Sequence, residues 1–398
     1  MADSFFVTRT PELYFGPGSL TRVPGLLHRL SLKRAFLVTG SGSVRELPQW
    51  EQLIADLEKD GGYAGDARVA GEPSPSDVDE IAAAARLRVA EVIIGIGGGS
   101  ALDAAKAAAV AVMHPGSIRD YLEGVGSKQP TPRRLPLIAC PTTAGTGTEA
   151  TKNAVLREVG PNGFKKSLRH DAYVPDIAVI DPSLAVGVPH RVTAASGLDA
   201  ITQNLEAYVS TGANCFTDAV ALGGLEAAGR SFLRVLEDGG DVRARADMAW
   251  AAHTSGIALA NAGLGLVHGA AGPAGAMHDI PHGVACGRLL PLVTRATIAR
   301  LRTADPSAAG GAAAKETLAR YARAGTAISG QDRGSVEANC DLLVETLDRF
   351  LRAGELPAFS AYGFTREEVR TLAGKSGRKG HPTDFDAGDI EEILAGAL

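Results

Sequence analysis

Long apolar runs are missing from this 398-residue chain. Hydrophobic residues make up 45% of it, yet no uninterrupted stretch approaches the roughly eighteen residues a bilayer-spanning helix needs. A helical membrane protein is thereby excluded. Cysteine is scarce as well: Cys140, Cys215, Cys286 and Cys340 are scattered and form no CxxC pair, so neither a disulfide framework nor a thiolate zinc site is expected. Basic residues show no excess, with 40 Lys and Arg against 45 Asp and Glu and no like-charge block, which removes the electrostatic footprint of a nucleic-acid binder. The opening MADSFFVTRTPELYFGPGSL lacks the basic segment and long apolar core of a secretory signal, so a cytoplasmic protein acting on small molecules is the expectation.

What is present is an alternating texture that changes part-way. RAFLVTG, VAEVIIGIGGGS and LPLIACPTTAGTGTEAT each join an apolar, β-branched run to a small-residue loop, and the Ala-rich ALDAAKAAAVAVM follows the second. Strands followed by helices specify a parallel sheet with helices on its faces. DIAVIDPSL near residue 180 reads as the last strand; beyond VPHRVTAASG, period-3.6 patterning dominates. A chain of this length also exceeds one hydrophobic core. The expected architecture is an α/β domain over residues 1–189 and an all-helical domain over 190–398, with Pro189 and His190 at the boundary.

Two loops and two segments of the helical half carry chemistry. GIGGGS, from Gly95 to Ser100, lies between a strand and a helix, where backbone amides can approach a phosphate at the helix's positive end; Ser100 stands where a dinucleotide fingerprint has its third glycine. PTTAGTGTE, from Pro141 to Glu149, places a second loop of small and hydroxyl residues after another strand. Each alone also fits an ordinary tight turn; together they point to a nucleotide. In SGLDAITQNLEAYV, Asp199 and Gln203 are four apart on one side of a helix, with Glu206 nearly in line. His268 and His282 lie fourteen residues apart in HGAAGPAGAMHDIPHG. Two imidazoles, an aspartate and an amide oxygen make a ligand set for a first-row divalent metal. A solvated polar face and hydrogen-bonded core histidines account for the same residues, and spacing does not choose between them.

The motifs FGPGSL, LVTG, GIGGGSALDAAKA, PTTAGTGTEAT, KKSLRHDAYVPDIAVIDPSL, ASGLDAITQNLEAYVS and HGAAGPAGAMHDIPHGVA, in this order, resemble the iron-containing (group III) alcohol dehydrogenases of the dehydroquinate synthase-like superfamily. The resemblance implies a dinucleotide-binding N-terminal domain, a helical metal-binding C-terminal domain, an active site in the cleft between them, and hydride transfer between NAD(P)H and a small aldehyde or a primary or secondary alcohol. It also implies a homodimer or larger homo-oligomer. Carried over residue by residue, Gly97, Gly98, Gly99 and Ser100 receive the pyrophosphate with Asp103 beside them; Thr142, Thr143 and Thr146 line the cofactor and Lys165 reaches toward it. Asp199, Gln203, His268 and His282 occupy the metal-ligand positions, with Asp199, His268 and His282 as the catalytic set. Fe2+ is the first expectation for the metal, with Zn2+, Mn2+ and Ni2+ as alternatives.

Three departures from the family pattern stand out. Gln203 replaces a histidine ligand, and an amide oxygen is the weaker, harder donor. Gly272 stands where many relatives have a histidine near the nicotinamide, leaving His278 as a candidate substitute. Gly40 ends a strand where NAD-preferring relatives often carry aspartate; without that carboxylate a 2′-phosphate meets no repulsion, so NADPH is the expected preference. Lys165, Lys166, Arg169 and His170 form a basic run that reads either as a site for an anionic aldehyde or as a solvated face. A cyclase or lyase of the dehydroquinate synthase type and a non-catalytic nucleotide-binding relative are the rival functions.

Overall fold

The structure, a computed structural model, describes residues 4–41, 43–158, 163–305, 307 and 310–398, with the backbone alone described at residue 43. The chain separates into two compact units, Thr8–Val188 and Pro189–Leu398, and residues 4–7 group with the second.

The first unit is built on eight strands and four α-helices among the described residues: β1 (Glu12–Phe15), α1 (Val23–Arg29), β2 (Ala35–Gly40), α2 (Pro48–Lys59), β3 (Tyr63–Val69), α3 (Pro75–Leu87), β4 (Val92–Gly97), α4 (Gly99–Ala111), β5 (Leu137–Pro141), β6 (Asn153–Glu158), β7 (Phe164–Arg169) and β8 (Ile177–Ile180). Six strands form one sheet in the order β1-β8-β5-β4-β2-β3, and every pairing in it is parallel. β6 and β7 make a separate antiparallel ribbon. The parallel sheet confirms the strand-then-helix reading of the sequence.

Central strands of such a sheet are covered on both faces, so VIIGIG of β4 is buried throughout rather than alternating. One layer of core packs Phe36, Val38 and Ile93 against the alanines of α4; the other packs Leu37, Ile94, Ile96 and Val179 against Leu20, Leu27 and Leu53. The Ala-rich composition of α4 thus reflects a helix buried against β2, β4 and β5. β2 leads outward to β3, whereas β4 returns to the opposite side of β2. The carboxyl ends of β2 and β4, at Gly40 and Gly97, therefore flank the reversal in strand order where open α/β sheets bind ligands.

The second unit is helical: α5 (His190–Val209), α6 (Cys215–Glu237), α7 (Val242–Ala262), α8 (Leu266–Met277), α9 (His282–Arg302), α10 (Gly311–Ser329), α11 (Val336–Gly354), α12 (Arg366–Lys375) and α13 (Ala387–Ala395). α5 is its central element, packed by α6, α7 and α9, and nearly all of its residues from Thr193 to Val209 are buried. No described helix is long and apolar enough to cross a membrane.

Candidate metal centre and nucleotide loops

Because α5 is enclosed, the alternative of a solvated polar face fails at its three polar side chains. Asp199 and Gln203 are each 2% exposed and Glu206 is 6% exposed. Buried carboxylates need partners or a cation, and the structure supplies the partners.

His268, in the first turns of α8, and His282, the first residue of α9, turn their Nε2 atoms toward Asp199 Oδ1 at 3.3 and 3.8 Å. Both histidines are followed by glycine, and close approach is the reason. A Cβ on Gly283 would collide with the Ala195 carbonyl of α5, and one on Gly269 with the Gly377 carbonyl. Only with hydrogen at Gly283 can the start of α9 rest on α5 and bring His282 to Asp199.

Glu206 fixes the other side of His268. Its Oε2 accepts from His268 Nδ1 at 2.7 Å, while Oε1 accepts the Val267 amide at 2.7 Å. With Nδ1–H committed to a carboxylate, Nε2 carries the lone pair that a metal would take. Asp199 Oδ1, facing it, is buried and accepts no hydrogen bond. Two acceptors held 3.3 Å apart in a dry site repel unless a cation or a shared proton lies between them.

A fourth atom joins them. Cys286, one helical turn after His282, sets Sγ 3.8 Å from His268 Nε2 and 3.7 Å from His282 Nε2. Donor atoms of Asp199, His268, His282 and Cys286 all lie within 4.8 Å of one another, a grouping able to hold a metal ion. Spacing among the four cysteines gave no sign of this neighbour. Asp199 and Cys286 are buried, while His282 keeps 29% of its side chain exposed, so the cluster is accessible on that side.

The charges respond to this crowding. Burial works against ionised Asp199, but the imidazoles of His282 and His268 outweigh it and hold its pKa at about 2. Burial likewise opposes protonated His268, yet Cys286, Asp199 and Glu206 together raise its pKa well above the ordinary value. Burial pushes the Cys286 thiol up to about 12. Two imidazoles, a carboxylate and a thiol converging in this way form a donor set that fits a divalent metal.

The remaining sequence candidates of this unit have partners of their own. Gln203 is oriented with its amide oxygen 3.4 Å from the Ser255 hydroxyl of α7, which donates to it. His278 bonds Glu368 through Nε2 at 2.8 Å and its ring packs at a tilt against Phe364. A Cβ built on Gly272 meets nothing within 4 Å.

In the first unit the two loops after β4 and β5 touch. Gly98 caps α4 and Gly99 begins it; a Cβ on Gly98 would lie 3.2 Å from Thr143 Oγ1, and one on Gly99 would lie 2.9 Å from Thr146. Thr142 donates its amide to the Gly97 carbonyl at 2.9 Å. Gly97, Gly98, Gly99, Ser100, Thr142, Thr143 and Thr146 therefore share one wall of backbone and hydroxyl groups at the amino end of α4, the end a phosphate prefers. Asp103 is buried and holds Thr148 Oγ1 at 2.8 Å and the Val155 amide at 3.1 Å, bracing the threonine loop from behind. Lys165 pairs with Glu72, and Arg169 lies 3.6 Å from Glu123, so members of the basic run have acidic neighbours.

Comparison with known proteins decides the family. Residues 10–182 match the model of the iron-containing alcohol dehydrogenases, and residues 193–398 match the Fe-containing alcohol dehydrogenase family's C-terminal model. The chain is an iron-containing alcohol dehydrogenase. It is 38% identical over 285 residues, 71% of each sequence, to the long-chain-alcohol dehydrogenase 1 of Geobacillus thermodenitrificans. It is 34% identical over 292 residues to the 1,3-propanediol dehydrogenase of Klebsiella pneumoniae, covering 71% of this chain and 72% of that one. The crystal structure of a 1,3-propanediol oxidoreductase superposes with a TM-score of 0.87 at 27% identity over the full length of both chains. As a member of this family the protein is a metal-dependent oxidoreductase of the EC 1.1.1 type interconverting alcohols and aldehydes with a nicotinamide cofactor, and the cyclase alternative is not favoured.

Proposed function

We propose that this iron-containing alcohol dehydrogenase reduces small aldehydes with NADPH, or runs the reverse reaction, using one divalent metal held by Asp199, His268 and His282. The observation that carries this reading is the convergence of those donors in a buried cluster, with Glu206 fixing which nitrogen of His268 faces Asp199. When bound, the metal supplies Lewis acidity toward a carbonyl oxygen, and the nicotinamide supplies the hydride.

The chain's own groups do the rest. The amides at Gly98, Gly99 and Ser100 and the hydroxyls of Thr143 and Thr146 bind the cofactor's phosphates at the start of α4. Gly40 leaves the end of β2 without a carboxylate, which supports NADPH over NADH. Asp199 and Cys286 exclude water from the inner face of the cluster, while the half-exposed edge of His282 admits the substrate. Gly272 offers no proton donor, so the proton that completes the alcohol would come from water or from another relay. In this proposal the enzyme works in the cytoplasm as a homo-oligomer, the latter measurable by light scattering.

The test is a panel of short aldehydes with NADPH and with NADH, run on chelator-stripped protein reconstituted separately with iron, zinc, manganese and nickel. Lasting NADPH oxidation that requires metal is expected, with the higher kcat/KM for NADPH. Cofactor recycling without a lasting absorbance change would indicate the cyclase chemistry instead, and absence of both metal binding and turnover would mark a non-catalytic relative.

A further inference from the structure

We propose that the thiolate of Cys286 is itself a ligand of the divalent metal, completing an Asp–His–His–Cys set in place of the amide oxygen of Gln203. This rests on the metal-dependent reading above and adds to it a donor that sequence spacing does not show.

Distances carry the inference. For a four-coordinate ion with bonds of roughly 2.0 Å to N and O and roughly 2.3 Å to S, tetrahedral geometry places N and O donors roughly 3.3 Å apart and N and S donors roughly 3.6 Å apart. Asp199 Oδ1 and His268 Nε2 are separated by 3.3 Å, and Sγ lies 3.8 and 3.7 Å from the two histidine nitrogens. A fourth edge, from Asp199 Oδ1 to His282 Nε2, is 3.8 Å, and the other two are within 4.8 Å. The donors already stand near the corners of such a polyhedron, and no backbone movement is needed to bring the sulfur in.

Local structure explains why. His282 and Cys286 are four apart on α9, so their side chains project from the same face one turn apart. The Gly283 contact that seats His282 against α5 seats Cys286 with it. Cys286 is 0% exposed, and Asp199 Oδ1, 3.8 Å or less from both imidazoles, is buried without a hydrogen bond. The amide oxygen of Gln203 lies 3.4 Å from the Ser255 hydroxyl. As the sulfur–metal bond forms, the S–H bond breaks and its proton passes to solvent; no electron changes hands.

A thiolate with two imidazoles and one carboxylate is a softer set than one completed by an amide oxygen. It ranks zinc and cobalt well ahead of manganese.

Cobalt distinguishes the possibilities without any assay of turnover. Full-length protein stripped of metal is titrated with Co2+, following bound cobalt and the near-ultraviolet absorption diagnostic of a thiolate–cobalt bond. The wild type is expected to develop this band to saturation at one cobalt per chain. Cys286→Ser and Cys286→Ala should bind cobalt without the band, and Cys215→Ser should retain it. Removing an outer-shell partner of a metal ligand costs roughly 10–100-fold in affinity, so loss of a direct donor should weaken Zn2+ at least tenfold while Mn2+ affinity changes less. Stoichiometric cobalt binding by the wild type without the band overturns the assignment and leaves the metal site standing. An unchanged Zn2+ to Mn2+ ratio in a folded Cys286 variant overturns it too. Failure to bind cobalt at all removes the metal reading and this inference with it. The wild-type spectrum decides even if both Cys286 variants fail to fold.

Discussion

Replacing Glu206 with glutamine separates orientation of the metal ligand from its presence. Three donors converge on this carboxylate: the Val267 amide at 2.7 Å, the His268 amide at 3.3 Å and His268 Nδ1 at 2.7 Å. A glutamine has one acceptor oxygen. If that oxygen faces Val267, the amide NH2 faces His268 Nδ1, which must then accept; the imidazole proton moves to Nε2 and blocks the atom directed at Asp199. If the oxygen faces His268, the buried Val267 amide is left against a second donor. Either way one charge-assisted hydrogen bond is lost, worth about 1.5–3 kcal/mol. At 1.4 kcal/mol per tenfold, Zn2+ affinity should fall roughly 10–100-fold, with kcat/KM falling at limiting metal. The assay is chelator competition on stripped protein, alongside thermal unfolding to show that the variant is folded. A folded Glu206→Gln protein binding Zn2+ as tightly as the wild type would refute the orienting role.

Other perturbations follow from the same geometry. Gly283→Ala forces a methyl group against the Ala195 carbonyl; separation of α9 from α5 should lower stability by about 1–3 kcal/mol and weaken metal binding, whereas Gly272→Ala, with open space at that Cβ, should leave unfolding unchanged in the same calorimetric comparison. Gly40→Asp is also sterically free, so the variant should fold normally and lose kcat/KM for NADPH relative to NADH by tenfold or more; an unchanged ratio would show that the end of β2 does not read the 2′-phosphate. Asp176 takes a bidentate grip from the nearly buried Arg134, at 2.6 and 2.8 Å, and accepts the Leu137 amide at the start of β5. Burial raises its pKa, but Arg134 and Leu137 prevail and lower it below the ordinary 3.8. Its contribution is thus present above that value and lost as pH falls through the lower folded one. Asp176→Asn should cost about 2 kcal/mol at neutral pH, allowing for the partial exposure of the pair, and flatten the acid limb of a stability–pH curve.

Much of this was legible in the sequence because the elements follow simple patterns. Strand-to-glycine junctions mark the carboxyl ends of β2 and β4, a small-residue loop marks that of β5, and the i, i+4 spacing of Asp199 and Gln203 places both on one side of α5. Glu206 was not legible from the same stripe, since an amphipathic helix and an enclosed one can share a polar face. One signal does separate them: from Val192 to Val209 the helix has no Lys or Arg, and a solvated face of eighteen residues rarely dispenses with both. Cys286 escaped for another reason. Spacing among the cysteines is uninformative; the informative neighbour of Cys286 is His282, one turn earlier. The resemblance to the family supplied Asp199, His268 and His282, but it could not supply a donor that the family pattern does not contain.

The glycines next to His268 and His282 explain why the site depends on sequence neighbours that never touch a ligand. A metal cluster drawn from three helices needs their backbones closer than side chains normally permit; α9 approaches α5 at Gly283 against Ala195, while Gly269 of α8 packs against Gly377, just past α12. Gly265 adds a third close point, its Cβ position lying 2.9 Å from both Glu206 Oε1 and His381 Nδ1. The carboxylate that orients His268 is therefore held by the same contacts that admit the helix bearing it. In such an arrangement, adding one methyl group disturbs several donors together, whereas removing one donor leaves the scaffold in place. Loss of metal from Gly283→Ala should accordingly coincide with loss of stability, while Cys286→Ser should lose metal affinity with the unfolding transition of the stripped protein nearly unchanged. If the two variants instead behave alike in the stripped state, the sulfur is part of the packing that holds α9 to α5 and not chiefly a donor.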